Sequence, residues 1–289
     1  MWDGPAEKSR LARDGLAAYA EHPLLGLVGV DRSWYGPVPE SVFRRWAAQV
    51  PPAFRFLVKA ARSLTDRTAP DGGPNPWFLD AGRALDHVVG PAVEGLGERL
   101  GAVVLQFSPA PAGAFGSPAA FADRLHDFLR ALAGAPVAVE LRNPELLGPE
   151  YAASLSDAGA AHCFAVHPSM PGPAMQAERI GDTGHGPLVV RWMLRRNRRY
   201  EEARARYAPF DRLVEPDPVI RDEIAALAVA AARSGRAALV SINNKAEGSA
   251  PLSAFGLARA VAEGYSPLSD ASHSSSEPSL MPSNRNVER

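Results

Sequence analysis

The sequence predicts an α/β fold, a TIM-like (β/α) barrel, on three observations. Short apolar runs rich in Val, Leu and Phe alternate with longer amphipathic stretches, the pattern of repeated βα units around a parallel sheet. The short runs are apolar along most of their length, as strands buried on both faces must be. Each run also ends in polar or charged side chains, and the carboxyl ends of the strands are where a parallel barrel holds its ligand.

Seven strands are predicted: Leu25 to Asp31, Phe54 to Lys59, Ala102 to Phe107, Val137 to Leu141, His162 to His167, Leu188 to Met193, and Ala237 to Asn243. Helices are predicted over Lys8 to Glu21, Glu40 to Gln49, Pro76 to Arg99, Pro118 to Leu132, Glu150 to Asp157, Pro218 to Ser234, and Ala254 to Glu263. Phe121, Leu125, Phe128, Leu129 and Leu132 recur at three- and four-residue spacing, which makes one stripe for packing on the sheet. Asp66 to Pro76 and Pro168 to Gly186 read as long loops at strand ends, where such loops usually carry function. One barrel domain is expected over residues 1–265. Residues 266–289 are rich in Ser, Pro and Asn, cannot offset the entropy of ordering by burial, and are expected to form a disordered tail.

With 289 residues, 46% of them hydrophobic and 22% charged, the chain can bury one large core. Its net charge of −1 gives no global pull toward nucleic acid or anionic lipid. Cys163 is the sole cysteine, which excludes an internal disulfide and a multi-thiolate metal site. His22, His87, His126, His162, His185 and His273 show no metal-ligand spacing, and there is no Gly-rich phosphate fingerprint, so neither a metal nor a cofactor is expected. No run approaches the ~18 apolar residues of a membrane span, and the opening Met-Trp-Asp-Gly-Pro is not a signal pattern. A cytoplasmic protein making no membrane contact is expected.

The polar residues at the strand ends are Asp31, Lys59, Gln106, Glu140 with Arg142, His167, Arg191, and Asn243 with Asn244. Residues two apart on a strand share a face, so Glu140 and Arg142 point the same way and Val139 and Leu141 the other. Glu140 reads either as a general acid or base, or as the group that holds Arg142 for a substrate anion; the plain alternative is an ion pair at the barrel end. Lys59 reads as a Schiff-base amine, an anion contact, or a snorkelling strand-end lysine. Arg191 interrupts an apolar run and needs a partner, either Glu140 or a bound anion. His167 reads as a proton shuttle titrating near neutrality, or as a structural histidine. Arg195, Arg196, Arg198, Arg199, Arg204 and Arg206, with Tyr200 and Tyr207, read as a solvated helix face or as a phosphate-tracking patch, and the interleaved Glu201 and Glu202 weaken the second.

At these residues the chain resembles the domain of unknown function family 72, the YecE-like proteins, which are (β/α) barrels. The resemblance runs from Val28 to about Val261. Its segments are Val28-Gly-Val-Asp-Arg-Ser-Trp-Tyr-Gly-Pro, Trp46 through Pro51, Phe54-Arg-Phe-Leu-Val-Lys-Ala, Leu105-Gln-Phe-Ser-Pro, Val139-Glu-Leu-Arg-Asn-Pro, Val190-Arg, and Ile242-Asn-Asn. It implies a cleft of Tyr35, Lys59, Gln106, Glu140, Arg142, Arg191, Asn243 and Asn244. The chain departs from the family at Gly29, at Asp66, at His167 and at Asn143-Pro-Glu-Leu, so several acid-base positions are replaced. The family also opens with a strand before a Trp-x-Gly element, which here is Trp2-Asp3-Gly4. The barrel therefore lacks its first strand; either the native start lies upstream, which is the expectation, or the barrel is open between its second and eighth strands.

Three functions follow as expectations. The first is a hydrolase or lyase acting on a small anionic or polyhydroxylated substrate, with Glu140, Lys59 and His167 catalytic and Tyr35, Gln106, Arg142, Arg191, Asn243 and Asn244 binding. The second is a ligand-binding pseudoenzyme. The third is a nucleic-acid-binding protein, against which the neutral charge counts.

Overall fold

The computed structural model describes residues 15–111, 113–132, 134–181 and 186–265. Seven parallel strands lie in chain order: β1 (Leu27–Val30), β2 (Arg55–Lys59), β3 (Leu100–Gln106), β4 (Val137–Glu140), β5 (Ala161–Val166), β6 (Leu188–Trp192) and β7 (Ala238–Ile242). Each pairs with the next, so the sheet curls until β7 again approaches β1. A Cβ placed on Gly29 of β1 would lie 3.5 Å from Ser241 Oγ of β7. No ladder joins those two strands among the described residues, and the barrel is nearly closed with one seam.

The period of two along each strand divides the core. Phe56, Val58, Val103, Leu105, Val139 and Val190 face outward into the larger apolar cluster, which the helices cover. Leu57, Val104, Ala138, Cys163, Val189 and Leu239 face inward and fill the lower barrel. Continuing the inward set by two residues reaches Lys59, Gln106, Glu140, Arg191 and Ser241 on five of these six strands, and Ala165 on β5, so the interior turns largely from apolar to polar on approaching the carboxyl ends.

The main helices among the described residues are α1 (Glu40–Ala47), α2 (Gly90–Leu96), α3 (Pro118–Ala131), α4 (Pro149–Ala158), α5 (Pro173–Ile180), α6 (Tyr200–Tyr207), α7 (Pro218–Arg233) and α8 (Ala250–Tyr265). In α3, Ser117 Oγ accepts from Ala120 N at 3.1 Å and Pro118 opens the first turn, while Phe121, Leu125, Phe128 and Leu129 are buried. Each of these side chains contributes about 1.5–3 kcal/mol by leaving water, and the cap about 1 kcal/mol.

Two expectations about helices are corrected. The Pro168 to Gly186 loop contains α5, a helix with proline at its start that buries Gln176 and Ile180 four residues apart; the polar Gln176 hid the stripe. The stretch from Pro76 to Arg99 is not one helix. It begins at Ala81, where Asp80 Oδ1 accepts from Arg83 N, and passes through a π turn at Leu85–Val89 before α2. Pro91 has no N–H to continue the ladder, and a Cβ on Gly90 would come within 2.6 Å of Leu85 O. Residues 15–20 are helical, as expected for the end of the first helix, whereas Lys8 to Asp14 and the 266–289 tail lie outside the described residues.

Candidate functional site

The strand register fixes the mouth of the barrel. Gln106 lies opposite Glu140 across the β3–β4 ladder, and Arg191 lies between Ala165 and Ser241 on its two neighbours. Glu140 is fully buried and forms ion pairs with both Arg142 and Arg191. Arg191 also donates to Gln106 Oε1 at 3.0 Å and approaches Asp31 Oδ1 at 3.6 Å. Arg142 is 5% exposed, and its Nε and Nη1 have no hydrogen-bond partner among the described residues.

Protonation follows from this packing. Burial alone would raise the Glu140 pKa, but Arg142 and Arg191 outweigh it and hold the carboxyl at about 2, so it is ionised at neutral pH. Burial, helped by Arg191, lowers the Lys59 ammonium to about 8, against the opposing pull of Asp31 and Glu140. Roughly one Lys59 in ten is thus a neutral amine at pH 7. His167 Nδ1 accepts from Ser169 N at 3.2 Å, which places the ring proton of the neutral form on Nε2. Burial and then Arg142 lower its pKa to about 4, so His167 does not titrate near neutrality, contrary to the sequence expectation.

Lys59, Arg191, Asp31, Ser241 and Asn243 line a cavity of about 380 Å³ that runs from the mouth into the seam between β1 and β7. Glu140 and Gln106 adjoin it through Arg191, and Arg142 through Glu140. Three further expected site residues lie off this lining, the first being His167, whose Nδ1 is held by Ser169. Tyr35 is 80% exposed and belongs to a neighbouring shelf above β1 and β2. Asn244 Oδ1 accepts from Ala250 N at 2.7 Å and shapes the start of α8. Asn243 combines roles, lining the cavity while its Oδ1 accepts from Lys245 N at 3.0 Å. Asp31 and Ser241 were not among the expected site residues. Ser241 had a usable signal, since it precedes Asn243 by two positions and shares its face.

The basic stretch after β6 is tied down locally. Arg198 donates to Glu215 through Nε at 3.0 Å and Nη2 at 2.6 Å, Arg206 Nε lies 2.8 Å from Glu215 Oε1, and Arg204 lies 3.5 Å from Glu201. Arg195 donates to the Glu215 carbonyl at 2.8 Å. Among the described residues no group of three or more His, Cys, Asp or Glu side chains is placed to hold a metal ion. No described helix is long and apolar enough to cross a membrane.

Comparison with known proteins agrees with this architecture. No curated protein matches the chain. A DUF72 family protein from Enterococcus faecalis V583 superposes with a TM-score of 0.57 at 21% identity, over 86% of this chain and 94% of the other. A DUF72 family protein from Thermotoga maritima MSB8 superposes with a TM-score of 0.60 at 21% identity, over 89% of this chain and 93% of the other. At that identity the likeness speaks for the fold alone. The family model described as "Protein of unknown function DUF72" matches residues 2–278, and the chain belongs to that family.

Proposed function

We propose that the barrel mouth binds a small anionic substrate and that the chain is an enzyme of hydrolase or lyase type, with Lys59 as its reactive group. The observation that carries this reading is a charge imbalance below the surface. Arg142 and Arg191 pair with one fully buried carboxylate, Lys59 lies close enough to feel its charge, and the second acid, Asp31, sits exposed at the rim. Desolvated cations in excess favour an anion, and guanidinium edges suit carboxylate or phosphate oxygens. Arg191, which lines the cavity beside Lys59, brings such an edge to it, and Arg142 stands behind it with Nε and Nη1 that lack a hydrogen-bond partner among the described residues.

Of the two roles open to Glu140, holding the arginines is favoured, because a carboxyl with a pKa of about 2 carries no proton to donate at neutral pH. His167, neutral throughout that range, keeps its ring proton on Nε2 and has no second proton to give. Lys59 is left as the group that changes charge near the working pH. Two reactions are open to its neutral amine. As a base it takes a proton from a water or from a carbon acid held against the arginines, and the resulting ammonium is stabilised by Asp31 and Glu140. As a nucleophile it adds to a substrate carbonyl carbon, and loss of water gives an imine.

One observation favours a second reading, a ligand-binding pseudoenzyme. Glu140 and His167 both keep one protonation state around neutrality, which removes two of the three candidate proton carriers. Turnover separates the readings. Titration calorimetry with inorganic phosphate and small carboxylates is expected to give binding that Arg142→Ala weakens at least a hundredfold. Conversion of a bound anion that Lys59→Met abolishes identifies an enzyme; binding without conversion identifies the pseudoenzyme. Binding indifferent to Arg142→Ala rejects the site.

A further inference from the structure

The β1–α1 and β2–α2 connections rise beside the mouth and enclose a second concavity of about 630 Å³, a size suited to a small ligand. Its surface is mainly apolar, with Trp34, Tyr35 and Trp77 as aromatic faces and Pro37, Pro70 and Pro76 between them. Tyr35 is 80% exposed and Trp77 43%, although both are large side chains that usually gain stability by burial.

The walls are held firmly. Asn75 Nδ2 donates at 2.6 Å to both Ser63 O and Asp66 O, its Oδ1 accepts from Trp77 N at 3.0 Å, and Leu79 N closes the loop onto Leu64 O at 3.0 Å. Arg83 stacks on the Trp77 ring at 3.8 Å. A loop with this many internal bonds presents its aromatic side chains in a fixed arrangement, which lowers the entropy lost when a ligand binds.

Trp34 joins this shelf to the mouth. The Lys59 ammonium lies 4.2 Å from the centroid of the Trp34 ring, the Arg62 guanidinium 5.3 Å from it, and the Tyr35 ring meets Trp34 edge-on at 5.0 Å. A ligand whose anion contacts Lys59 is therefore one side chain away from the aromatic surface. We propose that the shelf is a second subsite of the same ligand, and that this ligand is an anion carrying a planar ring, which packs against Trp77 and Tyr35 while its charge lies at Lys59, Arg142 and Arg191. The inference rests on the anion-binding reading of the mouth and extends it to a substrate class. Asp66 and Asp71 on the shelf rim disfavour a second anionic group there and suit the polar edge of a heterocycle.

The test is calorimetry with matched pairs: phenyl phosphate against inorganic phosphate, and adenosine 5′-monophosphate against ribose 5-phosphate. The ring-bearing member of each pair is expected to bind about tenfold more tightly or better, the usual worth of one aromatic stack. Trp77→Ala is expected to remove that advantage and leave the affinity for inorganic phosphate unchanged. Tyr35→Ala, at a side chain too exposed to affect folding, is expected to reduce it in part. Equal affinities within both pairs, with phosphate binding still lost in Arg142→Ala, overturn the shelf and leave the mouth standing. A ring advantage that survives both aromatic substitutions also overturns the shelf. Absence of binding by all four compounds, or phosphate binding that Arg142→Ala leaves intact, overturns the mouth reading and the shelf with it.

Discussion

Two clusters in this molecule are built the same way, one carboxylate gathering several guanidiniums, and they differ chiefly in burial. In the mouth Glu140 is fully buried between Arg142 and Arg191, with Lys59 close enough to feel its charge. After β6, Glu215 gathers Arg198 and Arg206 with Tyr207, while Glu202 and Asp217 share the remaining charge. Both carboxyl groups are held at about 2, Glu140 by Arg142 and Arg191 against the effect of burial, and Glu215 first by its hydrogen bonds to Arg198. The consequences diverge. On the surface, water and neighbouring acids screen the arginines, and the cluster fastens the α6 segment to the approach to α7. In the mouth Glu140, Arg142 and Arg191 are shielded from water, cations exceed buried acids, and the imbalance remains for a ligand to satisfy. Similar pKa values thus mark structure in one place and a candidate site in the other, and burial with charge count tells them apart.

The largest expected effect separates the clusters by stability. Glu140→Gln leaves the buried Arg142 without its acid and Arg191 with only the exposed Asp31, and is expected to cost about 3–5 kcal/mol in urea unfolding at pH 7, whereas Glu215→Gln costs clearly less. Equal losses would remove the distinction. The Glu140 term also has a defined pH window. Its folded pKa of about 2 lies below the ordinary 4.5, so the unfolded chain takes up the proton first. The contribution is complete above pH 4.5 and is lost as pH falls toward 2, where wild type and Glu140→Gln should converge.

Next in size is Lys59, which has no counterpart in the surface cluster. Affinity for a small carboxylate, whose own charge is constant over this range, is expected to fall roughly tenfold as pH rises from 7 to 9, as one nearby positive charge is lost, and Lys59→Met should show no such step. Stability moves the opposite way. Folding lowers this pKa from 10.5 to about 8, so the unfolded chain holds the proton more tightly between those values. Stability from this group rises as pH climbs from 8 toward 10.5, and Lys59→Met loses that rise. A flat wild-type affinity profile would show that the lysine does not face the anion. The smallest effect is expected from Arg196→Ala with Arg199→Ala, both exposed, which should change neither melting temperature nor phosphate affinity measurably. A clear loss of affinity would move the anion site to the surface cluster.

The sequence alone determined the barrel class and the position of its polar rim. Strands buried on both faces must be apolar except at their ends, so Lys59, Gln106, Glu140 and Arg191 could be read as facing one mouth. The period of two put Glu140 and Arg142 on one side, and the isolation of Arg191 among apolar neighbours required a partner such as Glu140, from which it is separated by 51 residues. The helix Pro173–Ile180 is not legible in the sequence because its buried stripe includes Gln176, whose amide bonds Ala165 O and N across to β5. Only the tertiary structure decided the rest. Whether Glu140 carries a proton, whether His167 titrates, and which arginines are already committed depend on distances and solvent exclusion between segments far apart in the chain. The same holds for Trp34, Tyr35 and Trp77, ordinary aromatic residues in the sequence, which the fold leaves on the surface beside Lys59. Residue type and spacing fix which face a side chain takes; charge state and exposure depend on what the rest of the chain packs around it.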